Sequence, residues 1–212
     1  MELFFSPMAC SLATRIALYE AGAEALFTCV DTRAKRTRAG ADFWAVTPMG
    51  QVPALRTDDG ELLTENAAVL QYVAERFPAA QLLPDDGIER ARARQWLAFI
   101  GTELHKAVFI PLLDPAAPPD VKTYARAKAG LRLGVLQTHL TRQEHLLGRF
   151  SVADAYLTAV LNWSPYAGIE LGDWPAVQQY HRRMLQRPSI ARAVAEEFAL
   201  YQEEQARRVK AA

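Results

Sequence analysis

The pattern of apolar and polar positions differs between the two parts of the chain. Up to about residue 80, short apolar runs alternate with amphipathic segments. Residues 3–5 and 26–30 predict strands, and residues 12–21 between them predict a helix that Gly22 ends. The order strand, helix, strand predicts a parallel pair joined by a right-handed crossover.

A hairpin and a helix complete this first part. Residues 52–56 and 61–63 are apolar runs on either side of Asp-Asp-Gly at 58–60, and Asp-Gly in that position predicts a β-hairpin. Apolar residues four apart over 69–77 predict a helix that ends before Pro78. The first part is therefore expected to be a small sheet with helices.

The pattern beyond a short linker is helical throughout. Residues 81–87 combine proline, glycine and two acids and predict the linker. Apolar residues recur at every fourth position from Trp96 to Val108 and predict a helix that stops at Pro111, and a long helix is predicted over 121–147. The predicted division is a mixed domain of residues 1–80, a linker of 81–87 and an all-helical domain of 88–212.

Three helix starts in the second part carry sequence signals. Ser151 and Asp154 match a capping box, and Phe150 before them can supply the hydrophobic staple of an apolar helix. Pro175 and Pro188 each stand where first-turn prolines begin helices. We interpret Ser151 and Asp154 as structural and exclude them from the functional site.

The composition indicates a soluble globular protein. Half of the residues are hydrophobic, and Lys+Arg and Asp+Glu each total 24, so no net field recruits nucleic acid or an anionic membrane. Cys10 and Cys29 form neither a CxxC motif nor a disulfide framework, which favours a reducing compartment. We find no signal peptide and no run approaching the ~20 apolar residues of a spanning helix, so we expect a cytoplasmic protein.

Cys10 is the first candidate for chemistry. It follows the strand break at Ser6-Pro7 and falls at or just before a helix N-terminus. Unpartnered backbone N–H groups and the helix dipole favour negative charge there, so the thiol ionises more easily and the reactive thiolate is favoured. The alternative is a small buried core residue, since inert cysteines are common.

Pro53 is the second candidate. A proline cannot donate to a sheet ladder, so it belongs at a strand start or an edge. A cis Val52–Pro53 bond would turn the N–H and C=O of Val52 outward, ready to pair with an extended peptide. The sequence leaves the isomer open.

Two polar clusters at helices are the remaining candidates. Glu65 and Asn66 begin a helix, where they either cap it or hold the carboxylate and amine of an amino-acid head group. Glu103, His105 and Lys106 form a polar cluster on a helix with an apolar face, and a structural histidine is the alternative there. Lys35 or Lys106 could bind a second carboxylate at the far end of the ligand. Together these features predict a ligand that is a tripeptide with a thiol.

Several motif blocks occur in a characteristic order. The blocks are residues 6–13, 47–55, 63–72, 96–97, 103–106 and 150–157. With these blocks, the sequence resembles a bacterial glutathione transferase and is most similar to the β class. The resemblance implies a thioredoxin-like α/β N-terminal domain, an all-α C-terminal helical domain and a homodimer.

The resemblance also implies roles for individual residues. Pro53 would be cis, Val52 would pair with the cysteinyl backbone of glutathione, and Glu65 and Asn66 would hold the γ-glutamyl head. Cys10 and His105 would be catalytic. The implied glutathione-binding residues are Cys10, Lys35, Gln51, Val52, Pro53, Glu65, Asn66, Glu103, His105 and Lys106, and the implied acceptor pocket is Phe109, Leu112, Trp163 and Tyr166. Ordinary helix packing is the alternative for the last four, and no metal is expected.

Three positions depart from the family pattern. Phe5 stands where many relatives have a tyrosine, so that position offers no hydroxyl. Asn66 replaces the usual Ser or Gly, although its amide can still donate to a carboxylate. Ala98 replaces a frequent Asn of the β class, which removes a polar contact near the sulfur.

The expected function is that of a glutathione transferase. It would bind glutathione as the thiolate and conjugate it to a small hydrophobic electrophile, in detoxification. A glutathione-dependent disulfide reductase or peroxidase that acts through a Cys10 mixed disulfide is one alternative. A non-catalytic binding module of the same fold is the other.

Overall fold

The structure is a computed structural model that describes residues 1–211, with side chains as far as Arg207. Two compact units divide the chain. One comprises Met1–Ala80 together with the residues from Arg187 onward, and the other comprises Gln81–Gln186. The change of unit at residue 80 coincides with the predicted linker. The units differ from the predicted domains because the segment after Arg187 clusters with the first unit.

The first unit contains a five-stranded sheet in the order β3-β2-β1-β4-β5. The strands are β1 Glu2–Phe5, β2 Leu26–Asp31, β3 Arg36–Thr37, β4 Ala54–Arg56 and β5 Leu62–Thr64. β1 and β2 are parallel, with Leu3 beside Phe27, and the other pairs are antiparallel. The predicted parallel pairing of β1 with β2 and the hairpin of β4 and β5 are confirmed. The two-residue strand β3 was not predicted, because so short a strand carries no periodicity.

The helices are α1 Leu12–Glu20, α2 Asn66–Arg76, α3 Gly87–Phe99, α4 Ile110–Leu113, α5 Pro119–Leu140, α6 Val152–Leu161, α7 Pro175–Leu185 and α8 Pro188–Ala211. In the first unit α1 packs against both α2 and α8. Leu12, Ile16 and Leu18 of α1 are completely buried, so this short helix lies at the centre of its unit.

In the second unit α3 continues through a π-helical segment, Ile100–Phe109, into α4. The prediction that the helix stops at Pro111 is wrong. Pro111 lies within α4, and the helix that begins at Gly87 runs through it to Leu113. The π-helical segment packs against α5 and α6.

The predicted extension of the long helix to residue 147 is also wrong, because α5 ends at Leu140. Beyond it, the backbone N–H of Leu146 donates to the carboxylate of Asp154 at 3.0 Å instead of continuing a helix. The capping box is confirmed, since Ser151 is the N-cap of α6 and its backbone N–H donates to Asp154. α6 therefore begins at Val152, directly after its N-cap residue.

One helical run meets a length and composition test for crossing a membrane. Gly87–Leu113 has 27 residues, and 39% of its most apolar window is buried inside the structure. The apolar pattern along the sequence did not predict such a run. A core helix of a water-soluble protein passes the same test, and part of this run packs against α5 and α6, so the test is weak evidence for a membrane segment.

Candidate functional site

Cys10 lies just before α1, as the sequence predicts. The side chain is half-buried, and its thiol donates to the carbonyl oxygen of Val52 at an Sγ–O distance of 3.2 Å. The N-cap residue Ser11 makes no side-chain capping bond, and the first N–H groups of α1 donate instead to the backbone carbonyls of Ala9, Cys10 and Ser11. This arrangement brings a thiol, a peptide carbonyl and a helix N-terminus together.

Asn66 connects the start of α2 to Cys10. Its side chain is 5% exposed, and its amide nitrogen donates to the carbonyl oxygen of Cys10 at 3.1 Å. That bond uses one of the two amide N–H groups and leaves the other for a ligand. The amide oxygen has no hydrogen-bond partner among the described residues. The bond to Cys10 was not predicted, because nothing local in the sequence relates these two segments.

Glu65 precedes α2 and is exposed. Its backbone carbonyl accepts from the N–H groups of Ala68 and Val69, whereas its carboxylate makes no capping bond. Of the two interpretations that the sequence left open, side-chain capping is therefore wrong for Glu65. Its carboxylate remains accessible to a cationic group.

Lys35 lies in the loop between β2 and β3, and Gln51 lies in the loop between β3 and β4. The ammonium group of Lys35 donates to the carbonyl oxygen of Gly50 at 2.8 Å and lies 5.3 Å from the centroid of the Trp44 ring. Gln51, immediately after Gly50, is exposed. The Val52–Pro53 bond is cis, as the resemblance implies.

Left-handed backbone conformations concentrate near these residues. Among the described residues, four that are not glycine have positive φ: Met8 at 59°, Lys35 at 54°, Glu65 at 66° and Gln81 at 52°. Such strain persists only where the surrounding structure enforces it, and it is frequent at functional sites. Three of the four belong to the loops that carry Cys10, Lys35 and Glu65. No sequence signal indicates this, because Met, Lys and Glu do not favour this conformation.

In the second unit, His105 lies in an aromatic environment within the π-helical segment. Its Nδ1 is 2.7 Å from the hydroxyl of Tyr156, and its ring centroid is 5.0 Å from that of Trp163. Trp163 in turn contacts Phe109, with 6.0 Å between ring centroids. Burial lowers the pKa of His105 to about 4, and the charge of Lys106 adds to this effect. The imidazole is therefore neutral near pH 7.

The other predicted residues of this unit have different surroundings. Glu103 accepts from Arg132 at 2.8 Å, so its carboxylate is already paired. Lys106 is exposed, Tyr166 is 60% exposed and Leu112 is 8% exposed. Sequence reasoning missed both Tyr156 and Arg132, although Tyr156 lies in one of the family-like blocks.

A cavity of about 920 Å³ also lies in the second unit, between α3 and the end of α5. Its lining includes Trp96, Phe99 and His139 and none of the residues predicted for the acceptor pocket. Among the described residues, no group of three or more His, Cys, Asp or Glu side chains could hold a metal ion.

Comparisons with known proteins agree in one family. Residues 7–76 match the model for the glutathione S-transferase N-terminal domain, and residues 102–188 match that for the C-terminal domain. The chain is 41% identical over 199 residues to glutathione S-transferase GstA of Escherichia coli O157:H7, covering 93% of this chain and 98% of that protein.

Solved structures are similar over the same length. A sphingomonad glutathione S-transferase complexed with glutathione is 43% identical, with a TM-score of 0.89. A bacterial beta class glutathione S-transferase of Sphingomonas chungbukensis is 44% identical, also with a TM-score of 0.89. Each alignment covers 93% of this chain and 98% of the other.

Proposed function

The chain belongs to the glutathione S-transferase family, and we propose on that premise that it conjugates glutathione to a small hydrophobic electrophile. The observation that carries the proposal is the arrangement of Cys10, Val52 and Asn66. It combines a thiol, a peptide carbonyl and an amide donor beside the N-termini of α1 and α2.

The roles in glutathione binding follow from the chemistry of each group. Val52 offers backbone groups to the cysteinyl residue, and the exposed carboxylate of Glu65 accepts from the γ-glutamyl amine. The second amide N–H of Asn66 and the N-terminus of α2 favour the γ-glutamyl carboxylate. Pro53, Gln51 and Lys35 complete this part of the site. Glu103, His105 and Lys106 are also proposed to bind glutathione.

The enzyme must hold the glutathione sulfur as a thiolate near neutral pH, although a free thiol titrates at about 8.5. The N-terminus of α1 favours the negative charge, and each unit by which the pKa falls corresponds to about 1.4 kcal/mol. Phe5 is 2% exposed and contributes no hydroxyl to this task. The residues around Cys10 therefore carry more of the activation than in relatives that have a tyrosine there.

The proposed reaction is a nucleophilic attack by sulfur. The thiol proton goes to solvent, the sulfur lone pair forms a bond to the electrophilic carbon, and the displaced group leaves with its bonding pair. Phe109, Leu112, Trp163 and Tyr166 are proposed to contact the acceptor. Binding both reactants at one site turns a bimolecular reaction into one within a single complex, which lowers the activation barrier of the transfer further.

The test is a titration of glutathione bound to the enzyme, followed by thiolate absorbance in the ultraviolet. We expect a midpoint well below the value for free glutathione under the same conditions. An unshifted midpoint, at saturating binding, would refute thiolate stabilisation. Calorimetry that detects no binding at millimolar glutathione would favour the non-catalytic binding module instead.

The position of Cys10 favours a second candidate function, glutathione-dependent disulfide reduction or peroxidase activity. Its half-buried thiol lies at a helix N-terminus, where a thiolate is stabilised. That thiolate would attack a glutathione disulfide, form a mixed disulfide and release one glutathione thiolate, and a second glutathione would then resolve the adduct.

Cys10→Ala separates the two functions. Conjugation should largely survive in this variant, whereas disulfide reduction should vanish. Cys29→Ala is the matched control, and it should leave both activities unchanged. Loss of conjugation in Cys10→Ala, with glutathione binding intact, would instead make the Cys10 thiol essential to transfer.

We also propose a homodimer in the cytoplasm that uses glutathione as its co-substrate, with neither a nucleic acid nor a membrane as partner. The balanced charge of the chain, with 24 basic and 24 acidic residues, supports the last point. Sedimentation of the purified protein tests the oligomeric state.

A further inference from the structure

A buried acid on α8 contacts the loop that carries Cys10. Glu197 is completely buried within the first unit. One carboxylate oxygen accepts from the backbone N–H of Met8 at 2.8 Å, and the other lies 3.0 Å from Nε of Arg15. The chemistry described above makes no use of this carboxylate.

The contact falls where the loop is strained. Residues Ser6 to Ala9 form a turn that the N–H of Ala9 closes onto the carbonyl of Ser6 at 3.0 Å. Met8 is the third residue of this turn and has a φ of 59°, a conformation that glycine normally supplies. The bond from Met8 to Glu197 therefore fixes a turn whose sequence does not favour it, two residues before Cys10.

Arg15 holds the carboxylate in place from α1. Its guanidinium lies between the rings of Phe5 and Phe27, 4.3 and 4.2 Å from their centroids, and is itself 4% exposed. It also pairs with Glu196 at 2.9 Å. Burial raises the pKa of Glu197, and Arg15 and the Met8 N–H oppose that rise. The groups that face this carboxyl are thus Arg15 from α1, Met8 from the loop and Glu196 from α8.

We propose that Glu197 is a positioning residue for the Cys10 thiol. By holding the Met8 N–H, it keeps the turn closed and the sulfur at the N-terminus of α1. This role extends the proposed function, because it rests on Cys10 being part of the site. A residue on the last helix of the chain would then control the reactivity of a thiol near its start.

The test measures the pH dependence of Cys10 alkylation by iodoacetamide, resolved from Cys29 by peptide mass spectrometry. Glu197→Ala removes the acceptor of the Met8 N–H, Glu197→Gln retains an oxygen for it, and Glu196→Gln alters a neighbouring carboxylate without touching Met8. The measurement uses no glutathione, so its outcome does not depend on whether the protein is a transferase.

We expect the alkylation midpoint of Glu197→Ala to rise toward the free-thiol value, with a rate at pH 7 about tenfold lower for each unit of increase. Glu197→Gln should restore a midpoint close to the parent value, and Glu196→Gln should leave it unchanged. A midpoint in folded Glu197→Ala that is unchanged or lower would overturn the proposal, as would a shift of equal size in Glu197→Gln.

Glu197→Ala leaves the buried guanidinium of Arg15 without one of its two acidic partners and can therefore prevent folding. The double variant Arg15→Met with Glu197→Leu removes both charges, fills the volume and still deprives the Met8 N–H of its acceptor. It should show the same upward midpoint shift. A parent-like midpoint in the folded double variant would refute a positioning role and leave Glu197 with a purely structural one.

Discussion

Acid should destabilise the helical unit through His105. Burial lowers its pKa in the folded protein to about 4, whereas the unfolded chain titrates near 6.5. Below about pH 6.5 the unfolded state binds a proton that the native state does not bind. The stability that His105 contributes is therefore fully present above pH 6.5 and is lost as the pH falls toward 4. At pH 4.5 the two pKa values give a loss of about 2.5 kcal/mol from this single side chain.

The assay compares urea unfolding of the parent protein and His105→Gln at pH 7.5 and at pH 4.5. Glutamine can still bond to the Tyr156 hydroxyl but does not titrate. We expect the parent to lose about 2.5 kcal/mol more than the variant between the two pH values. Because burial rather than the hydrogen bond is the main cause of the shift, Tyr156→Phe should retain the acid loss of the parent. Equal acid losses in the parent and His105→Gln would refute the reasoning.

Two further predictions concern stability and the loop geometry. Asp154→Asn should lower the free energy of unfolding by about 3 kcal/mol, because four groups donate hydrogen bonds to this fully buried carboxylate. Urea denaturation measures the loss, and a loss below about 1 kcal/mol would contradict the prediction. Gly50→Ala should weaken glutathione binding and cost at least about 1 kcal/mol, because φ is +54° and the new Cβ would lie 2.9 Å from the Trp44 ring. Gly22→Ala is the matched control, because Gly22 also has a positive φ of +61° but a new Cβ there would have no atom within 4 Å. Calorimetry should find normal glutathione affinity in this control. Equal glutathione affinities in the two variants would contradict a role for the loop around Gly50 in binding.

The elements that the sequence predicted correctly are those with local signals. The apolar runs of β1 and β2 mark the strands themselves, whereas the Asp-Gly turn between β4 and β5 and the capping box at Ser151 join residues that are close in the sequence. Pro175 and Pro188 begin α7 and α8 for the same reason, since a first-turn proline needs no distant contact.

Two predictions for the helical unit are wrong, the end of α5 and the helix stop at Pro111. The first involves a contact that is distant in the sequence, and the second involves an unusual helix winding. α5 ends at Leu140, five polar residues follow, and the N–H of the next apolar residue, Leu146, donates to the buried carboxylate of Asp154 rather than to a helical carbonyl. Helix periodicity cannot register that competition. Apolar spacing likewise predicts a helix near Pro111 without revealing that the preceding ten residues wind as a π-helix.

The candidate site was predictable as a set of residues but not as a set of bonds. The motif blocks identified Cys10, Val52 and Asn66, whereas the structure adds that the Asn66 amide donates to Cys10 and that the Cys10 thiol donates to Val52. Each bond joins segments more than forty positions apart. The outcome for Glu65 is similar, since only the structure distinguishes an exposed carboxylate from a capping one.

The last helix shows why such bonds matter for the location of function. Counting along the chain assigns α8 to the helical domain, yet α8 and the arginine directly before it bond to α1 and to the loop that carries Cys10. Arg187 donates to Glu20 at 2.6 and 2.7 Å, and Glu197 accepts from Met8 at 2.8 Å. A buried carboxylate is costly unless it is paired and hydrogen-bonded, so Glu197 is tolerated only while α1 and the Cys10 loop keep this geometry. The dependence is mutual: the bond to Glu197 holds Met8 in its strained turn, and the Met8 N–H in turn stabilises the buried Glu197 carboxylate on α8.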